Sequence, residues 1–203
     1  MLLLRNPHAP VAEIAADSVA VAELPTHNPL SQDYVPPLVF AQNPDCAGHM
    51  ASITKLMTAY MAFEAMGSGR LTADSPVTIS PEAAKQPPSK MGYKPGSVLT
   101  LDNALKIMLV KSANDIAVAV GETAGGKNYP ELMNATAAKL GMTGSHFTIA
   151  NGLHDPQNYS TARDLAVLAR ALRRDFPQFA HYFDIEAISY SKHVERNYNL
   201  LIG

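Results

Sequence analysis

Between Ser52 and Gly67 the apolar residues Ile53, Leu56, Met57, Tyr60, Met61, Phe63 and Met66 fall on nearly every face of a helical wheel. A helix at a protein surface carries one apolar stripe, so this spread predicts a helix buried on all sides, with Gly67 just past its end. Upstream, residues 1–36 have neither helical nor strand periodicity and contain "LPTHNP" and "VPP". They read as a loose N-terminal arm leading into "PLVFAQ", a strand candidate that opens a domain over 37–203. Downstream, "SPVTIS" suggests a strand, and in "SPEAAKQ" Ser80 is placed to cap a helix with Pro81 at its first position. "PPSKMGYKPGS" is rich in turn residues. Helices are predicted over 101–111, 114–124, 130–140 (Pro130 at the first position, Gly141 after the end) and 161–174. The last has Thr161 and Asp164 spaced as a capping box, with Arg170, Arg173 and Arg174 toward its C-terminus. "EAISYSK" reads as a late strand.

One residue breaks the first pattern. Lys55 lies inside the most apolar helix, three positions after Ser52. Burying an ammonium without partners costs several kcal/mol or forces it to lose its proton. Two readings follow. The lysine stem can run outward and leave the charge in water. Alternatively, the i, i+3 spacing sets a desolvated, neutral amine beside the Ser52 hydroxyl, whose proton it can remove. Ser52 at the helix N-terminus favours the second, because backbone amides there stabilise a developing anion. Spacing alone does not decide, since Ser189 and Lys192 repeat it in a polar strand-like stretch where no chemistry is assigned.

Composition narrows the classes. The chain has 203 residues, 47% hydrophobic and 17% charged, with a formal net charge of −2 and no run of Lys or Arg. That argues against a nucleic-acid or polybasic membrane surface. The single cysteine, Cys46, excludes an internal disulfide and any multi-cysteine metal site. No apolar run approaches a membrane span, and "MLLLRNPHAP" is too short in its apolar part to read as an export signal. The seven histidines show no metal-binding pairing and are expected on the surface or in loops, so neither metal nor cofactor is proposed.

A second stretch, "MLVKSANDIAVAVGE", has a simple reading in which Ser112 or Asn114 caps a helix starting near Asp115. It follows Ser52 by 60 residues and is itself followed by "NGLHDP" and "STARDLAVLARAL". Taken together and in order, these stretches resemble the serine-type D-Ala-D-Ala carboxypeptidases, the low-molecular-mass penicillin-binding proteins. The resemblance runs from about Leu38 to the last residue and includes "ASITKLMTAYMAFEAM" and "ISPEAAKQPPSKMGYKPGS". The family signature is S-x-x-K, S-x-N and K-T-G. Ser52 and Lys55 match the first element, Ser112 and Asn114 the second; the third is not in this sequence, which stops at "NYNLLIG". A fragment, or a product altered at both ends, is the expectation this raises.

The resemblance implies an α+β fold of the β-lactamase/transpeptidase kind: a sheet flanked by helices with a mainly helical subdomain, the sheet short of strands here. It implies that Ser52 attacks the carbonyl between two terminal D-alanines of a peptidoglycan stem peptide, with Lys55 as base, Ser112 relaying a proton and Asn114 orienting Lys55 and substrate. β-Lactam antibiotics would be acylating inhibitors, and the periplasm or cell envelope the place of action. Without K-T-G, one oxyanion donor and part of the carboxylate grip are expected to be lost, a deficit of about 10²–10³ in turnover per donor. The alternative is a non-catalytic pseudoenzyme, or a fragment that binds stems or needs a complementing C-terminal segment. Two other classes fit less well. "GETAGGKN" matches G-x-x-x-x-G-K from Gly121 to Lys127, but Asn128 stands where a P-loop needs Ser or Thr, and Pro130 starts the next helix too late. A serine β-lactamase would require S-D-N, where this chain has S-A-N, and a deacylating Glu that no segment offers.

Overall fold

The computed structural model describes residues 16–22, 38–190 and 193–197. Among these described residues the strands form four separate two-stranded antiparallel ladders around a helical core. β1 (Val19–Ala22) pairs with β2 (Leu38–Gln42). β3 (Gly48–His49) pairs with β6 (Tyr159–Ser160). β4 (Pro76–Thr78) pairs with β5 (Val98–Thr100), and β7 (Ala187–Tyr190) with β8 (His193–Arg196). The helices are α1 (Lys55–Gly67), α2 (Pro81–Lys85), α3 (Leu101–Lys111), α4 (Asn114–Gly125), α5 (Tyr129–Leu140) and α6 (Ala162–Asp175).

The arm expected over 1–36 is not structureless throughout, since residues 19–22 are strand β1. "VAVA" alternates β-branched and small residues, but four positions between Asp17-Ser18 and Glu23 are too short a run for a period to register. Its side-chain supports are distant in sequence: Ser18 Oγ donates to the Asn43 carbonyl at 2.7 Å and Gln42 Nε2 to the Ala16 carbonyl at 2.9 Å. β5 follows directly on the turn-rich stretch, and its three residues "VLT" are too few to predict a strand.

α1 is buried all round, as the apolar spread requires. Met57, Ala59, Ala62, Phe63 and Ala65 are fully inaccessible. Phe63 alone, stacked on Phe179 and Tyr182 with centroids 4.9 and 5.6 Å away, contributes about 1.5–3 kcal/mol by its removal from water. The end differs from expectation. Gly67 is the last helical residue, and the left-handed position falls on Gly69 (φ +74°), whose N–H reaches the Met66 carbonyl at 3.0 Å.

α4 packs against α1, α2, α3 and α5. Ile116 to Val120 are all buried, and the helix draws close to its neighbours through two glycines. A Cβ at Gly121 would lie 2.9 Å from that of Ala150; one at Gly125 would lie 2.8 Å from that of Tyr129. "IAVAVGETAG" is therefore a packed helix whose two glycines make room for other elements, with Gly126 and Lys127 in the short turn that follows it, not a strand and phosphate loop. Caps at Ser80, Thr100 and Thr161 each accept a backbone N–H, from Ala83 (2.9 Å), Asn103 (3.3 Å) and Asp164 (3.1 Å). The Asp164 half of the predicted box is used elsewhere: its Oδ2 accepts from Gly144 N (2.8 Å) and Ser145 Oγ (2.7 Å).

Candidate active site

Ser52 sits in a single 3₁₀ turn, Ala51–Thr54, that leads directly into α1. The turn starts from Ala51 in the left-handed region (φ +46°), where a non-glycine residue stores strain of about 1–3 kcal/mol. Ser52 is exposed, while Lys55, one turn on, is only 3% exposed. The outward route for the lysine is thus not the one taken. Nζ is instead surrounded by three oxygens: Ser52 Oγ at 3.1 Å, Asn114 Oδ1 at 2.9 Å and the Asn151 carbonyl at 2.8 Å.

Burial lowers the Lys55 pKa from its ordinary value to about 8. Three acceptors match the three N–H bonds of an ammonium. In the neutral amine two N–H bonds remain, enough for Asn114 and Asn151, and the lone pair is left for the Ser52 hydroxyl to donate into. The same cage therefore accommodates both protonation states, and the only bond that reverses is the one to the serine.

Asn114, 5% exposed, is the first residue of α4. Its Nδ2 donates to the Pro87 carbonyl at 3.0 Å and its backbone N–H to that of Ser89 at 2.7 Å. The capping reading of this motif fails: the N-cap is Ala113, and neither Ser112 nor Asn114 caps α4. Ser112 is the half-buried C-cap of α3, in the left-handed region (φ +58°). That bend turns the chain between α3 and α4 and sets Asn114 toward Lys55.

Ser52, Lys55 and Asn114 are thus brought into one hydrogen-bonded group, while Ser112 lies at the α3–α4 turn, two residues before Asn114. The other Ser-x-x-Lys pair is elsewhere: Ser189 lies in β7, on a hairpin against α3, and Lys192 falls outside the described residues. No group of three or more potential metal ligands occurs among the described residues.

Several contributors were not read from sequence. Thr54, at the end of the 3₁₀ turn, and Thr58, on α1, are both fully buried and bind the facing segment: Thr54 Oγ1 accepts from Asn158 Nδ2 (3.1 Å), and Thr58 Oγ1 donates to the Ala150 carbonyl (2.7 Å). Asn151 gives its carbonyl to Lys55, while its side chain donates to Gln86 Oε1 (2.8 Å) and accepts from Leu153 N (3.0 Å). Gly152 (φ +77°) lets the Ala51 carbonyl approach so closely that a Cβ would lie 1.8 Å from its oxygen. The signal lay in "ANGLHDP", where an Asn-Gly pair marks a backbone special position without saying what approaches it.

The chain is similar to known proteins along nearly its whole length. A family model described as D-alanyl-D-alanine carboxypeptidase matches residues 9–203. Over 160 residues the chain is 36% identical to the D-alanyl-D-alanine carboxypeptidase DacD of Escherichia coli (strain K12), covering 75% of this chain and 41% of that protein. The crystal structure of penicillin binding protein 6B from Escherichia coli superposes with a TM-score of 0.76 at 33% identity, over 82% of this chain and 55% of that one. Penicillin-Binding Protein D2 from Listeria monocytogenes, in its cefotaxime-bound form, gives 0.71 at 28% identity, over 82% and 69%. The chain spans less than half of the length of the DacD relative. Its match to the family model across nearly its whole length, and the α+β fold it shares with penicillin-binding proteins, show that the chain belongs to the D-alanyl-D-alanine carboxypeptidase family.

Proposed function

We propose that this chain carries the acylation site of a serine-type D-Ala-D-Ala carboxypeptidase acting on peptidoglycan stem peptides, with Ser52 as nucleophile. The observation that carries the reading is the Lys55 amine, buried, lowered to a pKa of about 8, and 3.1 Å from an exposed serine hydroxyl. A lysine in that state is a competent general base near neutral pH.

In the proposed reaction, Ser52 Oγ attacks the carbonyl carbon between the two terminal D-alanines as its proton passes to Lys55 Nζ. The backbone N–H of Ser52, at the head of α1, is a donor to the oxyanion. The C–N bond then breaks, and the proton moves from Nζ to the leaving amine, with Ser112 as the relay. D-alanine departs. Water adds to the ester, and its cleavage returns a proton to Ser52 and releases a stem shorter by one residue. Asn114 holds Lys55 through Oδ1 and is placed to meet the substrate amide. β-Lactams, which offer a strained amide to the same nucleophile, are proposed to acylate Ser52. The cell envelope, where peptidoglycan lies, is the proposed place of action. No helix among the described residues is long and apolar enough to cross a membrane.

The test is release of free D-alanine from a stem-pentapeptide mimic. The proposal expects release that depends on Ser52 and is lost in Ser52→Ala. Binding of the peptide without any release would favour a non-catalytic stem-binding role.

A further inference from the structure

Asp115 follows Asn114 and is fully buried on α4, among Asn114, Ile116 and Ala117. Its carboxylate faces a loop rather than a cation. Oδ1 and Oδ2 accept from Met91 N at 3.1 and 3.0 Å, Oδ2 from Gly92 N at 2.9 Å, and Oδ1 from Ile116 N at 2.9 Å. Taking a carboxylate out of water costs several kcal/mol, and N–H bonds of this kind are what offsets it. An apolar residue would fill the same site on α4 without that cost. The carboxylate therefore has to be explained by what it holds.

What it holds is the far end of the segment that touches Asn114. In that segment, residues 87–92, the Pro87 carbonyl accepts Asn114 Nδ2 (3.0 Å), the Ser89 carbonyl accepts Asn114 N (2.7 Å), and Ser89 Oγ donates to the Lys111 carbonyl (3.2 Å). A side-chain amide has a donor end and an acceptor end. With Nδ2 committed to Pro87, Oδ1 is the end presented to Lys55. Turned over, the amide would set a donor against the ammonium and lose the Pro87 bond as well. The Pro87 carbonyl thus selects the orientation, and its position depends on the strap that Asp115 ties at Met91 and Gly92.

We propose that Asp115 is a positioning residue: by anchoring the 87–92 strap to the head of α4, it fixes the Asn114 amide with its oxygen toward Lys55. The structural relationship stands without catalysis; its consequence for turnover rests on the reading of Ser52 and Lys55 as the reacting pair.

The experiment titrates Lys55 by NMR of its labelled Cε in the whole chain, with no substrate, comparing the parent with Asp115→Asn, a near-isosteric change that cannot accept at both ends. Asp115→Ala serves as the more severe variant, and thermal melts establish folding. Freed to turn, the amide withdraws its acceptor oxygen from the ammonium or sets a donor against it, so the Lys55 pKa is expected to fall further by about half a unit or more in Asp115→Asn. In an Asn114→Ala background, where no amide is left to orient, Asp115→Asn should move it no further. A folded Asp115→Asn protein with an unmoved Lys55 titration, or an equal shift with and without Asn114, overturns the proposal. Penicillin acylation measured in parallel is expected to fall about tenfold in Asp115→Asn. If Ser52 is not acylated even in the parent, the functional reading fails, while the titration still decides the role of Asp115.

Discussion

Lys55 Nζ lies 2.9 Å from Asn114 Oδ1, a bond that joins the head of α1 to the head of α4 across 59 positions of sequence. Neither residue is accessible enough for this to be a surface contact, at 3% and 5% exposure. The bond links two helix N-termini at the place where an exposed serine meets a buried amine.

Substituting Lys55 by arginine tests the amine as a base. An arginine stays protonated at any working pH and is larger than the cage of three oxygens. Lys55→Arg is expected to reduce acylation of Ser52 by about 10²-fold or more, the range over which general bases contribute. Stopped-flow or gel-based penicillin labelling measures it, and an unchanged rate would show that Lys55 takes no proton.

Acylation should also follow the state of the amine. With Lys55 lowered to about 8 by burial, the reactive neutral form grows through pH 8 and then saturates. Acylation is expected to rise about tenfold per pH unit below the midpoint and to level off above it. Stability has the same sign. The folded-state pKa lies below the unfolded value, so between about 8 and about 10.4 the unfolded chain binds more protons, and this group's contribution to stability rises with pH across that window. Below it the penalty on the folded state is present in full. Denaturant midpoints at pH 7.5 and 9.5, compared between the parent and Lys55→Met, isolate the contribution.

Gly152 predicts a geometric failure. Gly152→Ala drives a Cβ toward the Ala51 carbonyl oxygen and places alanine at φ +77°. The expected cost is about 2–4 kcal/mol of stability from overpacking and backbone strain. Any protein that remains folded should lose acylation, because Ala51 leads directly into the Ser52 turn. Chemical denaturation and labelling, read together, check both parts.

The G-x-x-x-x-G-K match makes a separate prediction. Gly121→Ala is expected to destabilise by about 1–3 kcal/mol through its clash with Ala150, exceeding the gain in helix propensity. Lys127, exposed in the short turn after α4, should be replaceable by alanine within about 0.5 kcal/mol. Nucleotide affinity lost in Lys127→Ala would contradict the packing account.

The helices were legible because their periodicity and caps are local: Ser80 with Pro81, Thr161 and Gly141 do what their positions suggest. Lys55 was legible for the opposite reason, as a charge that an apolar helix must justify. Short strands were harder. "VAVA" and "VLT" acquire their identity from partners far along the chain, and nothing within them separates a strand from a loop. Local reasoning also misassigned Asp164, whose carboxylate serves the Gly144 N–H 20 residues away, and found no role for Asp115, whose carboxylate holds the Met91 and Gly92 N–H groups 24 and 23 residues away. Asn151 offers a backbone carbonyl, a group that every residue possesses and no sequence pattern advertises.

The most direct test of Ser52 as the nucleophile is to incubate the chain with a fluorescent penicillin, then digest it and map the label by mass spectrometry. The account predicts one adduct, on the peptide containing Ser52, absent from Ser52→Ala. Label on Ser112 or Ser189, or label that survives Ser52→Ala, would contradict it.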